Sequence, residues 1–374
     1  MELYAGLMSG TSLDGVDVAV VGFGGGEERP SGFDLVAFRS FPYEPEFRDR
    51  LRAACGDAGA AELCRLDFEL GHRFAEATLH VLEERGIAPR DIVAVGCHGQ
   101  TVWHQPPDGT PGGTLQIGEP AVLAEAMGVP VVADFRVRDM AAGGHGAPLT
   151  AYFDRLLLSS ASAARAIQNL GGMGNVTALP VPGSGRPLAF DTGPGVVLID
   201  ACVRRISGGR ASWDVDGELA SRGTVCESAL AEWMKDPFFR APPPRSTGRE
   251  RFSEARLQRW MRRHADLDAE DLVATLTELT ARSVEDGYGC IGFALDEVYL
   301  CGGGARNPEL VRRIRARLAP LPVDRLEALG WDGEAREAAA FALLARQHRL
   351  GLPLDLGWAT GAAGPRILGK WVPA

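Results

Sequence analysis

The chain has 374 residues, of which 45% are hydrophobic and 24% charged, as in ordinary globular proteins with sizeable apolar cores. Because typical domains have about 100–200 residues, we expect two domains. The formal net charge of −10, from 39 basic and 49 acidic residues without a dense Lys/Arg block, argues against nucleic acid as a partner.

The cysteines and the N-terminal segment indicate in which cellular compartment the protein is expected. The seven cysteines are scattered, odd in number and without a Cys-x-x-Cys spacing, so neither a disulfide framework nor a zinc site is expected. Such usage favours a reducing compartment. Residues 1–4 carry an acid and no base, unlike a signal peptide, and no apolar run approaches the ~20 residues of a membrane span. We therefore expect a cytoplasmic protein without a membrane partner.

The first half of the chain alternates between strand and helix patterns. Residues 3–8 and 16–23 predict two strands of a hairpin around the turn-rich residues 9–15. Apolar residues at three- and four-residue spacing predict a long helix over residues 61–85. The next predicted elements are a short strand at 92–95, a helix at 120–127 and a strand at 129–135.

A second glycine-rich hairpin follows about 160 residues after the first. Its predicted strands are residues 165–170 and 175–179, and a third strand at 188–190 leads into Asp191. The later predictions are a helix at 196–206, a loop at 238–251, a helix at 272–284, a strand at 297–300, a helix from Pro308 and a helix at 334–348. Two hairpins that open two halves predict an α/β protein with a weak internal repeat.

The turn of the first hairpin, residues 10–15 (GTSLDG), is typical of a phosphate-binding loop. Glycine lets the backbone approach a ligand closely, so that several N–H groups can bind one phosphate. Thr11 and Ser12 offer hydroxyl donors, and Asp14 offers a carboxylate to Mg²⁺ through water. A plain hairpin turn is the alternative, and the missing Gly-Lys-Ser/Thr excludes a Walker A loop.

Three consecutive glycines, Gly302, Gly303 and Gly304, stand between the predicted strand 297–300 and a helix that opens at Asn307. A backbone without Cβ atoms lets a flat ring or a phosphate lie against it. A tight strand-to-helix turn is the alternative, although such a turn rarely needs three glycines. Because the full GxGxxG spacing is missing, a dinucleotide-binding fold gains little support.

Asp191 is expected at the carboxyl end of an apolar strand, where α/β folds bind ligands. A carboxylate there can act as a general base toward water or a hydroxyl group. An Asx cap on the following turn is the alternative.

Two arginines follow the predicted strand 129–135. Arg136 and Arg138 are spaced for one side of an extended segment, and an arginine fork suits a carboxylate ligand. A surface ion-pair cluster is the alternative.

Nearby, His98 and His104 flank Gln100, but a metal site needs more ligands at fitting spacing. We expect His98 to be a polar contact in a cleft or a satisfied buried histidine.

The order of these features resembles that of the actin-like ATPase and sugar kinase superfamily. In that layout ATP lies between two domains, the first hairpin and the Asp-Thr-Gly turn face its phosphates, and the triple-glycine turn faces adenosine. The resemblance implies an α/β, two-domain actin-like (ribonuclease H-like) ATPase fold with an interdomain cleft. The N-terminal domain would comprise residues 1–131 and 355–374, and the C-terminal domain residues 132–354.

Short motifs in family order resemble those of the anhydro-N-acetylmuramic acid kinases. They are residues 6–15 (GLMSGTSLDG), 98–101 (HGQT), 116–118 (QIG), 133–136 (ADFR), 169–172 (NLGG), 190–195 (FDTGPG), 246–250 (STGRE), 301–304 (CGGG) and 360–362 (TGA).

The resemblance implies a reaction in which 1,6-anhydro-N-acetylmuramic acid is phosphorylated while its internal ether opens. Water attacks C1, O6 leaves that carbon, and O6 takes the γ-phosphoryl group of ATP. The product, N-acetylmuramic acid 6-phosphate, enters cell-wall (peptidoglycan) recycling. By the same resemblance Asp191 is the catalytic base, ATP and Mg²⁺ are the cofactors, and the protein is a homodimer.

The resemblance also implies the binding residues. ATP would be bound by Gly10, Thr11, Ser12, Leu13, Asp14, Gly15, Val16, Asp17, Gly171, Gly172, Gly193, Gly302, Gly303, Gly304 and Asn307. The sugar would be bound by His98, Gln100, Arg136, Asp139, Gly144, His145 and Glu337. The sequence departs from the family pattern at His145, where the family usually has Gln, and at Val196, where it has Asn.

Two other functions are compatible with the motifs. The first is a kinase of the same fold that acts on an ordinary sugar or amino sugar hydroxyl, which Asp191 would deprotonate directly. The second is a non-catalytic ATP-dependent switch or sugar sensor. That function would call for an appended partner-binding or DNA-binding domain, and the sequence shows none.

Overall fold

The computed structural model describes residues 1–10, 13–26, 30, 32–56, 58–107, 112–248 and 251–374. Its strands are β1 (Glu2–Ser9), β2 (Gly15–Phe23), β3 (Phe33–Pro42), β4 (Ile92–Gln105), β5 (Gly113–Ile117), β6 (Val131–Ala133), β7 (Arg165–Leu170), β8 (Met173–Leu179), β9 (Leu188–Pro194), β10 (Glu297–Cys301), β11 (Val323–Arg325) and β12 (Lys370–Val372).

The helices in the same ranges are α1 (Pro45–Ala54), α2 (Ala60–Glu84), α3 (Pro120–Met127), α4 (Phe135–Ala141), α5 (Ala151–Phe153), α6 (Val197–Ile206), α7 (Glu218–Arg222), α8 (Glu227–Trp233), α9 (Glu254–Arg263), α10 (Ala269–Tyr288), α11 (Pro308–Leu318), α12 (Ala335–Arg349) and α13 (Gly357–Thr360). Within the described ranges, every helix is too short or too polar to traverse a lipid bilayer.

Internal contacts divide the chain into two compact units. Unit 1 comprises Met1–Leu156 and Ala335–Ala374, and unit 2 comprises Leu157–Glu334. The predicted ranges, 1–131 with 355–374 and 132–354, differ from this division. The difference arises because α12 packs on β1, β2 and β4, and α4 contacts β5, which places both helices in unit 1.

The sheet of unit 1 has the strand order β12-β6-β4-β1-β2-β3, and β5 pairs with β4. β1, β2 and β3 are antiparallel neighbours, whereas β1, β4 and β6 are parallel. From Val18 to Phe23 every residue of β2 is buried, because α12 and α2 both pack on this strand. Burial on both faces explains the nearly continuous apolar sequence of β2.

The sheet of unit 2 has the order β11-β10-β7-β8-β9. β7, β8 and β9 are antiparallel, and β7, β10 and β11 are parallel, so the order of unit 1 recurs. One core cluster joins this sheet to α10 and α11, and a second joins α6, α8, α9 and α10 around the stacked rings of Trp233 and Trp260. The predicted α/β class and internal repeat are confirmed.

Two strand glycines let α12 lie directly on the sheet of unit 1. A Cβ atom built on Gly6 would lie 1.9 Å from the carbonyl oxygen of Ala338, and one on Gly96 would lie 2.0 Å from that of Phe341. The facing helix is rich in buried alanines, among them Ala342 and Ala345. Small residues on both sides therefore allow backbone-to-backbone packing, which any side chain on either glycine would prevent.

A buried ion pair holds the first turn of α12. Arg336 and Asp154 are 1% and 0% exposed, and Arg336 Nε donates to Asp154 Oδ1 at 2.7 Å. Arg336 Nη2 donates to the other carboxylate oxygen. A two-point arginine–carboxylate contact fixes orientation as well as distance. It therefore also fixes the backbone at the next residue, Glu337.

Three predicted strands and one predicted loop differ from the structure. The strand predicted at 92–95 extends to Gln105 in β4, and the strand predicted at 129–135 is confined to Val131–Ala133. The strand predicted at 188–190 continues to Pro194, so Asp191 lies within β9 rather than at its end. The predicted loop 238–251 is interrupted by a 3-10 turn at Pro237–Arg240. β3, α1 and β5 have no counterpart among the predictions.

The interpretation of Arg136 and Arg138 as one side of an extended segment is wrong. Both lie in α4, which begins at Phe135 directly after β6. Asp134, with φ of 56°, makes the abrupt change from strand to helix. In the helix Arg138 is exposed, whereas Arg136 shares a face with the buried Asp139 three residues on.

Candidate functional site

Three buried side chains support the hairpin between β1 and β2. Gln100 Nε2 donates to the carbonyl oxygen of Gly10 at 3.0 Å, and Gln100 Oε1 lies 2.7 Å from Ser9 Oγ. Ser9 Oγ also lies 2.9 Å from the carbonyl oxygen of Gly15 and 2.8 Å from the Tyr43 hydroxyl. Both ends of the predicted phosphate-binding turn are therefore tied to β4 and to the segment before α1.

The predicted phosphate contacts within this turn are only partly described. Thr11 and Ser12 lie outside the described residues. Leu13 has a φ of 62° and is buried, so it anchors the turn with its side chain inside unit 1. Val16 is buried and Asp17 is half-buried on β2. Among the described positions Leu13, Asp14, Val16 and Asp17, only Asp14 has an exposed side chain that is suited to meet a ligand.

The Asp14 side chain fits the predicted magnesium contact. Its carboxylate is exposed, and its backbone oxygen accepts a hydrogen bond from Tyr43 N at 2.9 Å, which fixes the position of the residue. Mg²⁺ in kinases is held by one or two carboxylates, waters and substrate phosphates rather than by an all-protein cage. A single exposed carboxylate on a phosphate turn is compatible with that mode of binding.

Arg136 is held in place by His98 and by the glycine-rich loop that follows α4. Arg136 Nε donates to His98 Nε2 at 3.0 Å, and Arg136 Nη1 donates to the carbonyl oxygen of Gly146 at 2.5 Å. Burial lowers the pKa of Arg136 to about 10, so the guanidinium stays charged at neutral pH. The negative charges of Glu337 and then Asp139 oppose this shift, so both carboxylates act on the guanidinium electrostatically.

Asp139 fixes the loop formed by residues 143–146. Its Oδ2 accepts from Gly146 N at 2.8 Å, and its Oδ1 accepts from Thr360 Oγ1 at 2.8 Å. Burial raises the pKa of this carboxyl. Gly144 is required at its position because a Cβ there would lie 2.2 Å from Asp139 Oδ2. His145 N donates to the carbonyl oxygen of Thr360 at 2.8 Å, so α13 supports the same loop.

His104 belongs to this group, although no role for it was predicted from the sequence. Its Nδ1 lies 3.0 Å from Thr114 Oγ1 on β5. Burial, and then the charges of Arg136 and His145, lower its pKa to about 4, so the ring is neutral at physiological pH. The spacing in sequence, 32 residues before Arg136, carries no sign of this proximity. The predicted sugar-binding residues that unit 1 brings together are His98, Arg136, Asp139, Gly144, His145 and Glu337.

In unit 2 the segment 245–247 holds Asp191. Thr247 N donates to Asp191 Oδ2 at 2.7 Å, Asp191 N donates to the carbonyl oxygen of Arg245 at 3.0 Å, and Arg245 Nε donates to that of Asp191 at 2.9 Å. Arg245 is 7% exposed and also donates to the carbonyl oxygens of Phe238, Phe239 and Ala241. Residues 246–250 formed one of the family-like motifs, but the sequence indicated no role for Arg245.

The turn between β7 and β8 rests on the segment after Asp191. Gly195 N and Val196 N donate to the carbonyl oxygens of Gly172 and Gly171, both at 2.9 Å. Gly193 is surrounded by Phe239 and Ser283, so internal packing already requires a glycine there. In contrast, a Cβ on Gly171 would make only ordinary contacts, and one on Gly172 would meet nothing within 4 Å.

The three consecutive glycines differ in how closely other atoms of the fold surround them. Gly302 has a φ of 79°, and a Cβ there would lie 2.3 Å from Asn169 Oδ1. A Cβ on Gly304 would lie 2.8 Å from both the carbonyl oxygen of Leu170 and Val196 Cγ1. Gly303 has nothing within 4 Å of an added Cβ, so the fold itself does not require a glycine there. An exposed backbone of this kind suits the close approach of a ligand.

Asn307 begins α11 as its cap. Its Oδ1 accepts from Glu309 N at 3.1 Å and from Leu310 N at 3.0 Å. These bonds satisfy two of the helix's first N–H groups. The predicted contact of Asn307 with ATP stays a prediction and would have to use its amide nitrogen.

Comparison with known proteins identifies the family. The sequence model of the family described as "Anhydro-N-acetylmuramic acid kinase" matches residues 2–374. A protein of that name from Caldanaerobacter subterraneus subsp. tengcongensis is 45% identical over 382 residues, covering 99% of this chain and 96% of the relative. One from Gloeobacter violaceus is 45% identical over 377 residues, covering 100% of this chain and 99% of the relative.

Similarity to solved structures is much lower. The activator of the 2-hydroxyisocaproyl-CoA dehydratase from Clostridium difficile with bound ADPNP is 14% identical, with a TM-score of 0.47, covering 92% of this chain and 94% of the other. No functional conclusion follows from a similarity of that size. The match to the family model and the full-length relatives are decisive, and the chain belongs to the anhydro-N-acetylmuramic acid kinase family.

Proposed function

We propose that the protein uses ATP to phosphorylate O6 of 1,6-anhydro-N-acetylmuramic acid while water opens the internal ether at C1. The products are N-acetylmuramic acid 6-phosphate and ADP, in cell-wall recycling. The observation that carries the choice of substrate is the guanidinium of Arg136. Two of its nitrogens are fixed by His98 and Gly146, and the third, Nη2, has no hydrogen bond within the described residues. Such a group suits the carboxylate that distinguishes a muramic acid from an ordinary sugar.

The proposed chemistry needs one base and one phosphoryl acceptor. Asp191 accepts a proton from water as the water oxygen bonds to C1. The C1–O6 bond breaks with its electron pair going to O6, and O6 then bonds to the γ-phosphorus as ADP leaves. An uncharged water attacking an acetal carbon requires a positioned base. The hydrogen bond from Thr247 N to Asp191 Oδ2, at 2.7 Å, supports that role because it fixes the carboxylate's orientation.

The nucleotide's phosphates would be bound by the turn at residues 10–15, with Asp14 holding Mg²⁺ through water. When bound there, magnesium would supply positive charge that offsets the negative charge developing during phosphoryl transfer. The turn's own contribution is to position the phosphates, and the contacts of Ser9 and Gln100 with its two ends support that role. Positioning and charge stabilisation account for most of catalysis in phosphoryl transfer.

The experiment for the function is ADP release with Mg-ATP and 1,6-anhydro-N-acetylmuramic acid in water enriched in ¹⁸O. We expect turnover and a 6-phosphate sugar that carries solvent oxygen at C1. N-acetylglucosamine and N-acetylmuramic acid are the comparison substrates. Turnover of an ordinary sugar without solvent oxygen would favour the alternative kinase. ATP binding without turnover of any of the three sugars would favour a sensor.

Gly303 provides a test of the adenosine contact. Replacing Gly303 with alanine should raise the KM for ATP about tenfold, since forcing a methyl group into a filled contact costs about 1–3 kcal/mol. The sugar KM and the unfolding midpoint should change little, because nothing in the fold lies within 4 Å of the added Cβ. Steady-state kinetics with ATP as the varied substrate measure this.

Gly304→Ala is the matched control for Gly303→Ala. Its Cβ would lie 2.8 Å from Leu170 O and Val196 Cγ1, so this variant should lose stability rather than selectively lose ATP affinity. An unchanged KM for ATP in Gly303→Ala would remove Gly303 from the nucleotide site.

We also propose a cytoplasmic location and a homodimer. The absence of disulfides among the seven cysteines supports a reducing compartment, and membership of the family supports the dimer. A monomer mass by light scattering at micromolar concentration would rule out the dimer.

A further inference from the structure

We infer that His98 and Gln100 are positioning residues rather than substrate ligands, and that they serve different substrates. Gln100 orients the turn of the first hairpin for the nucleotide, and His98 orients Arg136 for the sugar. The inference rests on the proposed function and changes the predicted role of both residues.

Both N–H donors of the Gln100 amide are used inside unit 1. The residue is 0% exposed. Its Nε2 donates to the carbonyl oxygens of Gly10 and Thr101 at 3.0 and 3.1 Å, and its Oε1 lies 2.7 Å from Ser9 Oγ. A carboxamide offers two N–H donors, and both are satisfied by protein carbonyls. A sugar could accept a hydrogen bond from this amide only if a buried hydrogen bond were broken, whereas the turn is attached to it directly.

The hydrogen bonds of His98 with Gly99 and Arg136 assign its tautomer. The carbonyl oxygen of Gly99, 2.7 Å from Nδ1, can only accept, so Nδ1 carries the proton. Arg136 Nε can only donate, so Nε2 offers its lone pair across 3.0 Å. Burial, reinforced by the charge of Arg136, holds the pKa of His98 well below its usual value. The ring is therefore a neutral acceptor that sets the angle of the guanidinium.

A bulge in β4 allows both contacts from one short segment. In the pairing of β1 with β4, Leu7 faces Cys97 but Ser9 faces Gln100, so β4 has one extra residue at this point. Gly99 lies in the bulge with a φ of 77°, and a Cβ there would meet Ile117 O at 2.9 Å. Bulges redirect side chains and are frequent beside active sites. Here the bulge places Gln100 beside Ser9 and leaves His98 against Phe341 and Arg136.

The test compares matched variants by their effects on two KM values. His98→Leu removes the acceptor, and losing a hydrogen bond to a charged group costs about 1.5–3 kcal/mol, so the sugar KM should rise at least about tenfold. His98→Gln restores an acceptor near Nε2 and should recover most of the loss. Gln100→Met should instead raise the KM for ATP about tenfold, because it removes both donors to the backbone. In each variant the other KM should stay within about twofold.

Several outcomes would overturn the inference. If Gln100→Met raised the sugar KM and left that of ATP unchanged, Gln100 would be a sugar ligand. If His98→Gln failed to recover activity, or if the kcat/KM profile of that variant lost a limb between pH 6 and 8, His98 would act by titration or direct contact. A lower unfolding midpoint with both KM values unchanged would reduce both residues to a structural role.

Two further variants test the inference if His98→Leu or Gln100→Met fails to fold. His98→Asn retains a donor toward Gly99 but does not reach the Nε2 position, so it should behave as His98→Leu. Ser9→Ala removes the partner of Gln100 Oε1 and should raise only the KM for ATP. Wild-type ADP release is measured first, and its absence would count against the proposed function. Calorimetric titration with ADP would then still test whether Gln100→Met weakens nucleotide binding.

Discussion

We expect the replacement of Asp191 with asparagine to lower kcat by about 10²- to 10⁴-fold, the usual contribution of a general base. The amide cannot accept the proton of the attacking water, but its oxygen can still accept the hydrogen bond from Thr247 N, now at 2.7 Å from Asp191 Oδ2. The backbone bonds between Asp191 and Arg245 do not depend on the side chain. KM values and the unfolding midpoint should therefore change little, which separates lost chemistry from lost structure.

Asp266→Asn is the control for the loss of one negative charge. Asp266 is exposed in the same unit, in the segment between α9 and α10. That variant should retain wild-type kcat. An Asp191→Asn enzyme with more than about a tenth of wild-type kcat would show that another group activates the water, since a base contributes at least about 10².

The two hairpins were predictable because their signals are local. Short apolar strands and glycine-rich turns lie within about 20 residues of one another in each half, and the first half adds a valine-rich strand. The structure confirms β1 with β2 and β7 with β8 as antiparallel pairs. The repeated sheet order follows from this start, because each hairpin's first strand then pairs in parallel with a later strand, β4 or β10.

The misplacement of Arg136 has a specific cause. Apolar and polar residues alternate through residues 133–139, a pattern that favours a strand. The structure replaces the strand with the seven-residue helix α4 after Asp134, whose φ of 56° is uncommon for a residue with a side chain. The bonds of Arg136 to His98 and of Asp139 to Thr360 hold this helix in place, and both cross long stretches of sequence. Tertiary contacts therefore decided the local structure.

Roles at the site were harder to predict than positions. The motif HGQT indicated that residues 98–101 matter, but it could not show that Gln100 reaches Gly10, 90 residues away. Nor could it show that Arg245 holds Asp191 across 54 residues. Residue type identifies groups that can bind a ligand. Only burial and hydrogen bonds separate those groups from the ones that position their neighbours.

Gly96→Ala should strongly destabilise unit 1. Its Cβ would lie 2.0 Å from the carbonyl oxygen of Phe341 and 2.6 Å from the carbonyl carbon, so α12 must move away from the sheet. Overpacking a core costs about 1–3 kcal/mol, and a clash with helix backbone belongs at or above the upper end, because no side chain can rotate to relieve it. Activity should fall too, since α12 carries Glu337 and the Phe341 ring that contacts His98.

Gly113→Ala is the matched control for Gly96→Ala, since Gly113 lies in β5 of the same sheet and a Cβ there would meet nothing within 4 Å. Denaturant unfolding of the two variants separates the effect of the close approach between strand and helix backbones from the effect of replacing any glycine in the sheet. Equal free energies of unfolding would mean that α12 can shift without loss. A much lower free energy of unfolding for Gly96→Ala would show that the contact between the strand and helix backbones fixes α12, and with it Glu337. Glycine on the strand and alanine on the helix make that contact possible.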